Sequence, residues 1–258
     1  MQHIIFDRSD SIATITFNRP KSYNSFHRAM ALEVQAALDQ CQDESIRVVV
    51  LMGNGKAFSA GQDLQEVSNP DAYMGFRKIL EEHYAPIVLK IQALEKPVIA
   101  AVNGVAAGAG ANIALCCDLV LASEKASFLQ AFSRIGLIPD SAGTYFLPRL
   151  VGYQKALGLA MLAEQIDAKE AERLGMIYKI FPDETFQSSI RQIAEKLSKM
   201  PTKGLGLLKQ AYQKSMSNTL EEQLVVENEL QIIAASTDDY REGVQAFLQK
   251  RKPIFKGK

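Results

Sequence analysis

A run of 25 residues, 98–122, consists almost entirely of small and apolar side chains. A helix of about 20 apolar residues is long enough to cross a bilayer. Three polar residues interrupt this run, however, and alanine and glycine outnumber the leucine and isoleucine of a typical membrane span. These are Asn103, Asn112 and Asp118. We therefore expect a strand, a loop, a helix and a second strand inside the core of a soluble protein.

Other strands are predicted on both sides of this run. Residues 48–52, 98–102 and 119–122 are short and wholly apolar, and residues 13–17 alternate between polar and apolar side chains. Helical spacing separates most of these segments. Apolar strands that alternate with helices are typical of a parallel sheet covered on both faces, so we predict an α/β fold.

The character of the sequence changes after the last strand candidate, residues 177–181. Residues 185–249 have helical spacing with a break at 200–201, and the strand pattern does not return. We therefore expect an α/β core over residues 1–183 and a helical C-terminal region over residues 184–258.

The charges balance, with 29 Lys and Arg against 29 Asp and Glu. Nucleic acids and anionic membranes attract basic surfaces, so a neutral chain points to neither partner. The first residues lack the pattern of a secretory signal, and Cys41, Cys116 and Cys117 suit buried thiols in a reducing compartment. The three histidines share no ligand spacing with these cysteines. We expect a cytoplasmic protein without a metal site.

One loop, residues 56–64, follows a strand and contains a run of small residues. Ser59, Ala60 and Gly61 allow the backbone to come close to a ligand. If a helix begins at Asp63, the N–H groups around it point outward. A plain strand-to-helix turn with Asp63 as its cap would also account for these residues.

A second loop, residues 103–112, also follows a strand. Gly108, Ala109 and Gly110 open an apolar helix and supply a second set of free N–H donors. The spacing does not fit a dinucleotide-binding fingerprint. Close packing of the helix is the alternative explanation.

A third loop, residues 135–144, contains the carboxylate of Asp140 after a proline and before three small residues. Such an aspartate commonly caps a helix. Surrounded instead by Ile138, Phe132 and Leu147, it would gain proton affinity and become a usable base.

These loops, taken with other segments, resemble the crotonase (enoyl-CoA hydratase/isomerase) superfamily along nearly the whole chain. The matching segments are N-R-P at 18–20, A-F-S-A-G-Q-D-L at 57–64, K-P-V-I-A-A-V-N-G-V-A-A-G-A-G at 96–110, C-D-L-V-L-A at 117–122, G-L-I-P-D-S-A-G-T at 136–144 and D-Y-R-E-G-V-Q-A-F-L-Q-K-R at 239–251. The resemblance implies a spiral of ββα units whose helical C-terminal region serves trimerisation. It also implies an acyl-CoA substrate, a homotrimer or hexamer, and no cofactor apart from the coenzyme A of the substrate.

The resemblance assigns roles to particular positions. In this family two backbone N–H groups polarise the thioester carbonyl, and the matching positions are Gln62 and Ala109. Asp140 would be the acid and base. The implied substrate-binding positions are Lys21, Phe58, Ala60, Gly61, Asp63, Leu64, Gly108, Asn112 and Phe132. Arg19, Lys250 and Lys252 are further candidates for contact with coenzyme A, the first for its phosphates.

Two positions depart from the hydratases of the family. Asn112 and Phe132 match the two glutamates that activate water there, and neither can act as an acid or base for hydration. The sequence around Asp140 is most similar to members that convert epoxyphenylacetyl-CoA to the oxepin thioester and that shift 3-enoyl double bonds to the 2-position. Asn112 would bind the substrate or cap its own helix. An enoyl-CoA hydratase and a catalytically silent acyl-CoA-binding subunit are the alternatives.

Overall fold

A computed structural model describes residues 1–70 and 73–258. The strands are β1 (Ile4–Ser9), β2 (Ile12–Phe17), β3 (Val48–Gly53), β4 (Ala57–Ser59), β5 (Val98–Val102), β6 (Val105–Ala107), β7 (Leu119–Ser123), β8 (Ser127–Leu129), β9 (Gln165–Asp167) and β10 (Lys179–Phe181). The helices are α1 (Arg28–Gln40), α2 (Leu64–Ser68), α3 (Phe76–Lys78), α4 (Ala85–Ala93), α5 (Ala109–Leu115), α6 (Gly143–Val151), α7 (Tyr153–Leu162), α8 (Ala168–Arg173), α9 (Phe186–Ser198), α10 (Thr202–Ser215), α11 (Leu220–Ala235) and α12 (Asp238–Leu248). A π-helical segment, Ile79–Tyr84, joins α3 to α4, and 3-10 turns lie at Pro20–Ser22, Ala131–Ile135 and Asp183–Thr185.

The strands form two sheets. The larger has the order β1-β2-β3-β5-β7-β10, and the smaller has the order β4-β6-β8-β9. Strands β1 and β2 are an antiparallel hairpin, and the other pairs of the larger sheet are parallel. In the smaller sheet β4, β6 and β8 are parallel, and β9 runs against β8.

The chain repeats one unit as it moves between the sheets. In each of the pairs β3 and β4, β5 and β6, and β7 and β8, the first strand lies in the larger sheet and the second in the smaller. Helices follow each pair before the chain returns to the larger sheet. The predicted α/β spiral of ββα units is confirmed. Residues 98–122 form one such unit and the next strand, with β6 where we expected only a loop.

The main core lies between the two sheets and the helices that cover them. Phe17 packs edge-on against Phe26 and Phe58, with ring centroids 5.2 and 5.1 Å apart. All three rings are fully buried. Phe58 is therefore a core residue, and our placement of its side chain on the substrate path is wrong. The cysteines are buried free thiols, as expected.

The C-terminal helices do not all pack in the same way. Helix α9 covers the outer face of the larger sheet, where Phe186, Ile190 and Ala194 join a second apolar cluster with the strands. Helices α11 and α12 leave large apolar side chains exposed, among them Phe247 at 83%. The division at residue 183 and the role of this region in trimerisation stay predictions. No helix in the described part of the chain is both long and apolar enough to span a bilayer.

Candidate active site

A cavity of about 240 Å³ lies where the three predicted loops meet. Seven of the predicted site residues line it: Ala60, Gln62, Leu64, Gly108, Ala109, Phe132 and Asp140. The rest of its wall is Val67, Phe76, Ile79, Tyr84, Ala131, Arg134, Ile135 and Leu137. Most of these side chains are apolar, so the cavity suits an apolar part of a ligand.

The first loop presents the N–H of Gln62 to the cavity. The preceding carbonyl, that of Gly61, accepts a hydrogen bond from the Phe26 N–H at 2.7 Å, and the Asp63 N–H donates back to the Phe26 carbonyl at 2.7 Å. In a trans peptide the N–H points away from the C=O, so the Gln62 N–H faces away from Phe26. It has no acceptor among the described residues.

The second loop presents the N–H of Ala109. Ala109 is the first residue of α5, and the Gly108 carbonyl before it accepts the hydrogen bond from the Asn112 N–H. The N–H groups of the first helical turn have no partner within a helix. The Ala109 N–H also finds no acceptor elsewhere in the described part of the chain.

Glycines bring these two loops into contact. A methyl group built at Gly61, whose φ is +87°, would lie 2.9 Å from the Ala107 carbonyl oxygen and 3.2 Å from the Ala109 nitrogen. One built at Gly110 would lie 2.5 Å from the Ser59 carbonyl oxygen. Gly61 itself does not line the cavity. Its lack of a side chain lets the two loops pack closely enough for both free N–H groups to face the same cavity.

The third loop supplies the carboxylate of Asp140. Burial raises the pKa of Asp140 to about 6, opposed by the hydroxyl of Ser141, which donates to Oδ1 at 2.8 Å. Ser141 and Ala142 both have positive φ, at 50° and 61°, which costs energy for residues other than glycine. Ala142, not Asp140, is the N-cap of α6. The carboxylate is thus held as a weak acid at the cavity wall rather than used as a helix cap.

The apolar surroundings of Asp140 differ in part from our prediction. Phe132 lines the cavity and lies over Gly108, where an added methyl group would be 3.7 Å from the ring. Ile138, however, is 78% exposed, and Leu147 is buried in the main core. Leu137 takes the place that we assigned to them.

Asn112 does not line the cavity. Its side chain is fully buried, donates to the Asp140 main-chain carbonyl at 2.8 Å, and accepts from Gln130 Nε2 at 2.8 Å. Neither of the predicted roles, substrate contact or capping of its own helix, describes these contacts. Asn112 instead holds the loop that carries the carboxylate.

Asp63 is also turned away from the cavity. It is the N-cap of α2, accepting from the Gln65 N–H, and forms an ion pair with Arg19 at 2.8 Å. The helix cap that we considered is therefore present. Direct contact of Asp63 with the substrate is not supported, and Arg19 is engaged within the protein.

Lys21 lies in an exposed 3-10 turn outside the cavity wall. The end of that turn is bound to the cavity loop, because the Ala60 N–H donates to the Tyr23 carbonyl at 2.9 Å. Lys250 and Lys252 lie beyond α12 and do not line the cavity of their own chain.

Tyr84 lines the cavity but was not predicted from the sequence. Its side chain is 1% exposed, and its hydroxyl donates to Gln62 Oε1 at 2.7 Å. It ends the π-helical segment Ile79–Tyr84. The available signal was Pro86, which interrupts helical hydrogen bonding two residues later.

Comparison with known proteins identifies the family of this chain. The family model described as enoyl-CoA hydratase/isomerase matches residues 7–258. The 1,2-epoxyphenylacetyl-CoA isomerase of Escherichia coli K12 is 44% identical, with 100% of both chains covered. A probable enoyl-CoA hydratase of Rhodobacter capsulatus is also 44% identical, over 99% of this chain and 98% of its own.

Solved structures give the same result for the fold. The enoyl-CoA hydratase of Bacillus anthracis superposes with a TM-score of 0.92 at 33% identity, with 100% of each chain covered. A similarity of this extent, in sequence and in structure, fixes both the fold and the general chemistry. This chain belongs to the enoyl-CoA hydratase/isomerase family and is an enzyme that acts on acyl-CoA thioesters.

Proposed function

We propose that this enzyme isomerises acyl-CoA thioesters, converting 2-(1,2-epoxy-1,2-dihydrophenyl)acetyl-CoA to the seven-membered oxepin thioester. The observation that carries this proposal is the carboxylate of Asp140 in an apolar cavity that also receives the N–H groups of Gln62 and Ala109. The E. coli relative named for this reaction supports the choice of substrate.

The two N–H groups form an oxyanion hole in this proposal. Removal of a proton beside a thioester carbonyl builds negative charge on its oxygen, and fixed donors stabilise that charge. Asp140 takes the proton from C2 of a 3-enoyl thioester and returns it at C4, which gives the 2-enoyl isomer without a second acid. In the epoxide reaction the same carboxyl group shuttles a proton while the ring expands.

Hydration is the second candidate, because the R. capsulatus relative is named a probable hydratase. Water addition in this family uses two glutamates. At the matching positions this chain has Phe132, whose ring lines the cavity, and Asn112, which is buried behind it. Asp140 is the one carboxylate among the described residues of the wall. This arrangement favours isomerisation.

We place coenzyme A along the first loop, with its phosphates near Lys21. The hydrogen bond between Ala60 and Tyr23 supports this placement, because it ties the lysine-bearing turn to the cavity. The exposed apolar side chains of α11 and α12 support a homotrimer or hexamer. The free, buried cysteines support a location in the reducing cytoplasm. Coenzyme A is part of the substrate in this scheme, and no further cofactor is needed.

Product analysis with three thioesters tests the proposal: a 3-enoyl-CoA, crotonyl-CoA and epoxyphenylacetyl-CoA. We expect isomerisation of the first and third and no hydration of the second. Asp140→Asn should bind the same ligands and lose nearly all turnover. Strong hydration of crotonyl-CoA would favour the hydratase, and ligand binding without turnover of any of them would favour a silent acyl-CoA-binding subunit.

A proline substitution tests the oxyanion hole. Ala109→Pro deletes one N–H at a first helical position, where proline is well tolerated, and should lower kcat about 100-fold. Tyr153→Pro, at the exposed first residue of α7, is the matched control, because Tyr153 also follows a glycine of positive φ, and it should leave kcat unchanged. Equal activity of both variants would exclude the Ala109 N–H as a donor to the substrate.

A further inference from the structure

Tyr84 contacts two residues that adjoin the Gly61–Gln62 peptide, whose N–H faces the cavity: Gln62 itself and Phe26. Its hydroxyl donates to the Gln62 side chain at 2.7 Å. Its ring packs against Phe26, with centroids 6.0 Å apart, and the Phe26 N–H holds the Gly61 carbonyl. Tyr84 thus binds the Gln62 side chain directly and packs against the residue whose main chain holds the Gly61 carbonyl.

The side chain of Gln62 is held at both ends. Oε1 accepts from Tyr84, and Nε2 donates to Glu66 Oε2 at 2.8 Å. Glu66 is itself fixed, because its Oε1 accepts from the Arg28 main-chain N–H at 2.9 Å. The chain of hydrogen bonds therefore runs from the start of α1 to the hydroxyl of Tyr84.

This support matters because of the residue that precedes the peptide. Gly61 has a φ of +87° and no side chain, so it offers little resistance to rotation of the following peptide. A hydrogen-bond donor stabilises developing charge only when its direction is fixed before the reaction. The Phe26 N–H fixes one side of this peptide through the Gly61 carbonyl, and the side chain of Gln62 is a second point at which the direction of the N–H can be fixed.

We propose that Tyr84 is a positioning residue, which acts through the Gln62 side chain to fix the direction of the Gln62 N–H toward the thioester oxygen. This inference rests on the proposed function, because it assumes that Gln62 belongs to an oxyanion hole. Burial, followed by the charges of Asp140, Glu66 and Asp63, raises the pKa of Tyr84 well above its ordinary value. Tyr84 therefore stays protonated at neutral pH and remains a donor.

The test uses a chromophore that reports carbonyl polarisation without turnover. The thioester of coenzyme A with 4-dimethylaminocinnamic acid absorbs at longer wavelength when its carbonyl oxygen accepts strong hydrogen bonds. Tyr84→Phe should lose about half of the red shift seen with the wild-type enzyme, and its Kd for the probe should change less than threefold. Tyr153→Phe, an exposed tyrosine outside the cavity, should keep the full shift.

Steady-state kinetics on the isomerised substrate give a second readout. Tyr84→Phe should lower kcat about tenfold and change KM less than threefold, since misdirection of a donor acts mainly on the transition state. Gln62→Met keeps the length of the side chain but removes its hydrogen bonds with Tyr84, Glu66 and the Asp63 carbonyl, so it should lower kcat at least as much. The double variant should be no worse than the poorer single variant, because Tyr84 acts through the Gln62 side chain alone.

The outcomes separate this inference from the proposed function. A full red shift and wild-type kcat in Tyr84→Phe would overturn the role of Tyr84, as would independent, multiplicative losses in the double variant. A red shift in the wild type without isomerisation of any panel substrate would overturn the proposed reaction, and the role of Tyr84 would still be decided by the shift. No red shift in the wild type would overturn both. Thermal unfolding of each variant identifies any general loss of structure.

Discussion

The side-chain amide of Asn112 donates a hydrogen bond to the main-chain carbonyl of Asp140 at 2.8 Å, across 28 residues of sequence. The two residues are far apart in the sequence, and neither lies in a strand. The bond therefore links α5, which begins in the second loop, to the third loop, which carries the carboxylate. A methyl group built at Gly143 would lie 2.2 Å from the same amide nitrogen, which shows how closely the two loops pack. The position of the carboxylate thus depends on a residue that does not face the cavity.

Replacement of Asn112 by aspartate should disrupt this link. The new carboxylate would face the Asp140 carbonyl, acceptor against acceptor, in a fully buried position. We expect a loss of about 3 kcal/mol or more in the free energy of unfolding, measured with urea. The control is Asn54→Asp, which changes an exposed asparagine in the same way and should alter stability by less than about 1 kcal/mol. Equal effects would mean that the buried bond is unimportant.

Asp140→Asn should separate activity from stability. The folded protein holds this carboxyl with a pKa of about 6 against an ordinary 3.8, so burial of its charge opposes folding at neutral pH. The amide removes that charge, and we expect a gain of about 1–3 kcal/mol in the free energy of unfolding at pH 7. The gain should vanish below pH 4, where the carboxyl is neutral in both states. An inactive variant that is also destabilised at pH 7 would contradict this account.

The same pKa predicts the pH dependence of the reaction. A base must be ionised to accept a proton, so kcat/KM for the 3-enoyl thioester should fall as the pH drops through about 6 and level off above it. A profile measured between pH 4.5 and 8.5 on a substrate without titratable groups near the reacting carbons tests this. A decrease in kcat/KM centred near pH 4 would instead indicate that the reacting carboxylate is exposed to water and does not lie in the cavity.

Gly61→Ala should disturb the contact between the two loops. The added methyl group would meet the Ala107 carbonyl oxygen at 2.9 Å, in addition to the strain of a positive φ. Gly152→Ala is the matched control, because its φ is +79° and nothing lies within 4 Å of the added group. Both variants should lose stability, but only Gly61→Ala should lower kcat by tenfold or more. Similar kcat values in the two variants would show that the loop contact does not matter for the reaction.

His83 should make the protein sensitive to acid. Both ring nitrogens are buried without a hydrogen-bond partner among the described residues. Burial lowers the pKa of His83, opposed by the charge of Glu66, so the folded state resists a proton that the unfolded state accepts. Stability should therefore fall as the pH drops through about 6.5. His83→Phe should show a smaller decrease in Tm between pH 7.5 and pH 5.5, and an unchanged decrease would refute the assignment.

The sequence predicted the parts of the fold that have strong periodicity. The strand at residues 98–102 matches β5 at both ends, and the helical break at 200–201 separates α9 from α10. Strands β4, β6 and β8 have three residues each, too few to show a period, so the smaller sheet was not predicted from spacing. The resemblance to a known family implied the repeat that contains them.

The candidate site also contains some residues that could be predicted from the sequence and others that could not. Gln62, Ala109 and Asp140 stand in short motifs, and all three line one cavity. The contacts of Asn112 depend on a carbonyl 28 residues away, and no local pattern predicts such a partner. Tyr84 reaches the cavity through a π-helical turn, whose geometry shifts side chains off the helical period that we used.

The π-helical segment Ile79–Tyr84 also provides a route by which the shape of the cavity could change during evolution. Pro86 has no N–H to donate to the Glu82 carbonyl, and Gln35 Nε2 donates to that oxygen instead, at 2.6 Å. Because a π-helical hydrogen bond spans five residues and an α-helical one spans four, the segment contains about one residue more than an α-helix of the same length would hold. A single-residue deletion there would restore α-helical geometry and turn Phe76 and Ile79 by about 100° relative to Tyr84. The cavity could thus be reshaped by a change in chain length, with the reacting groups left in place.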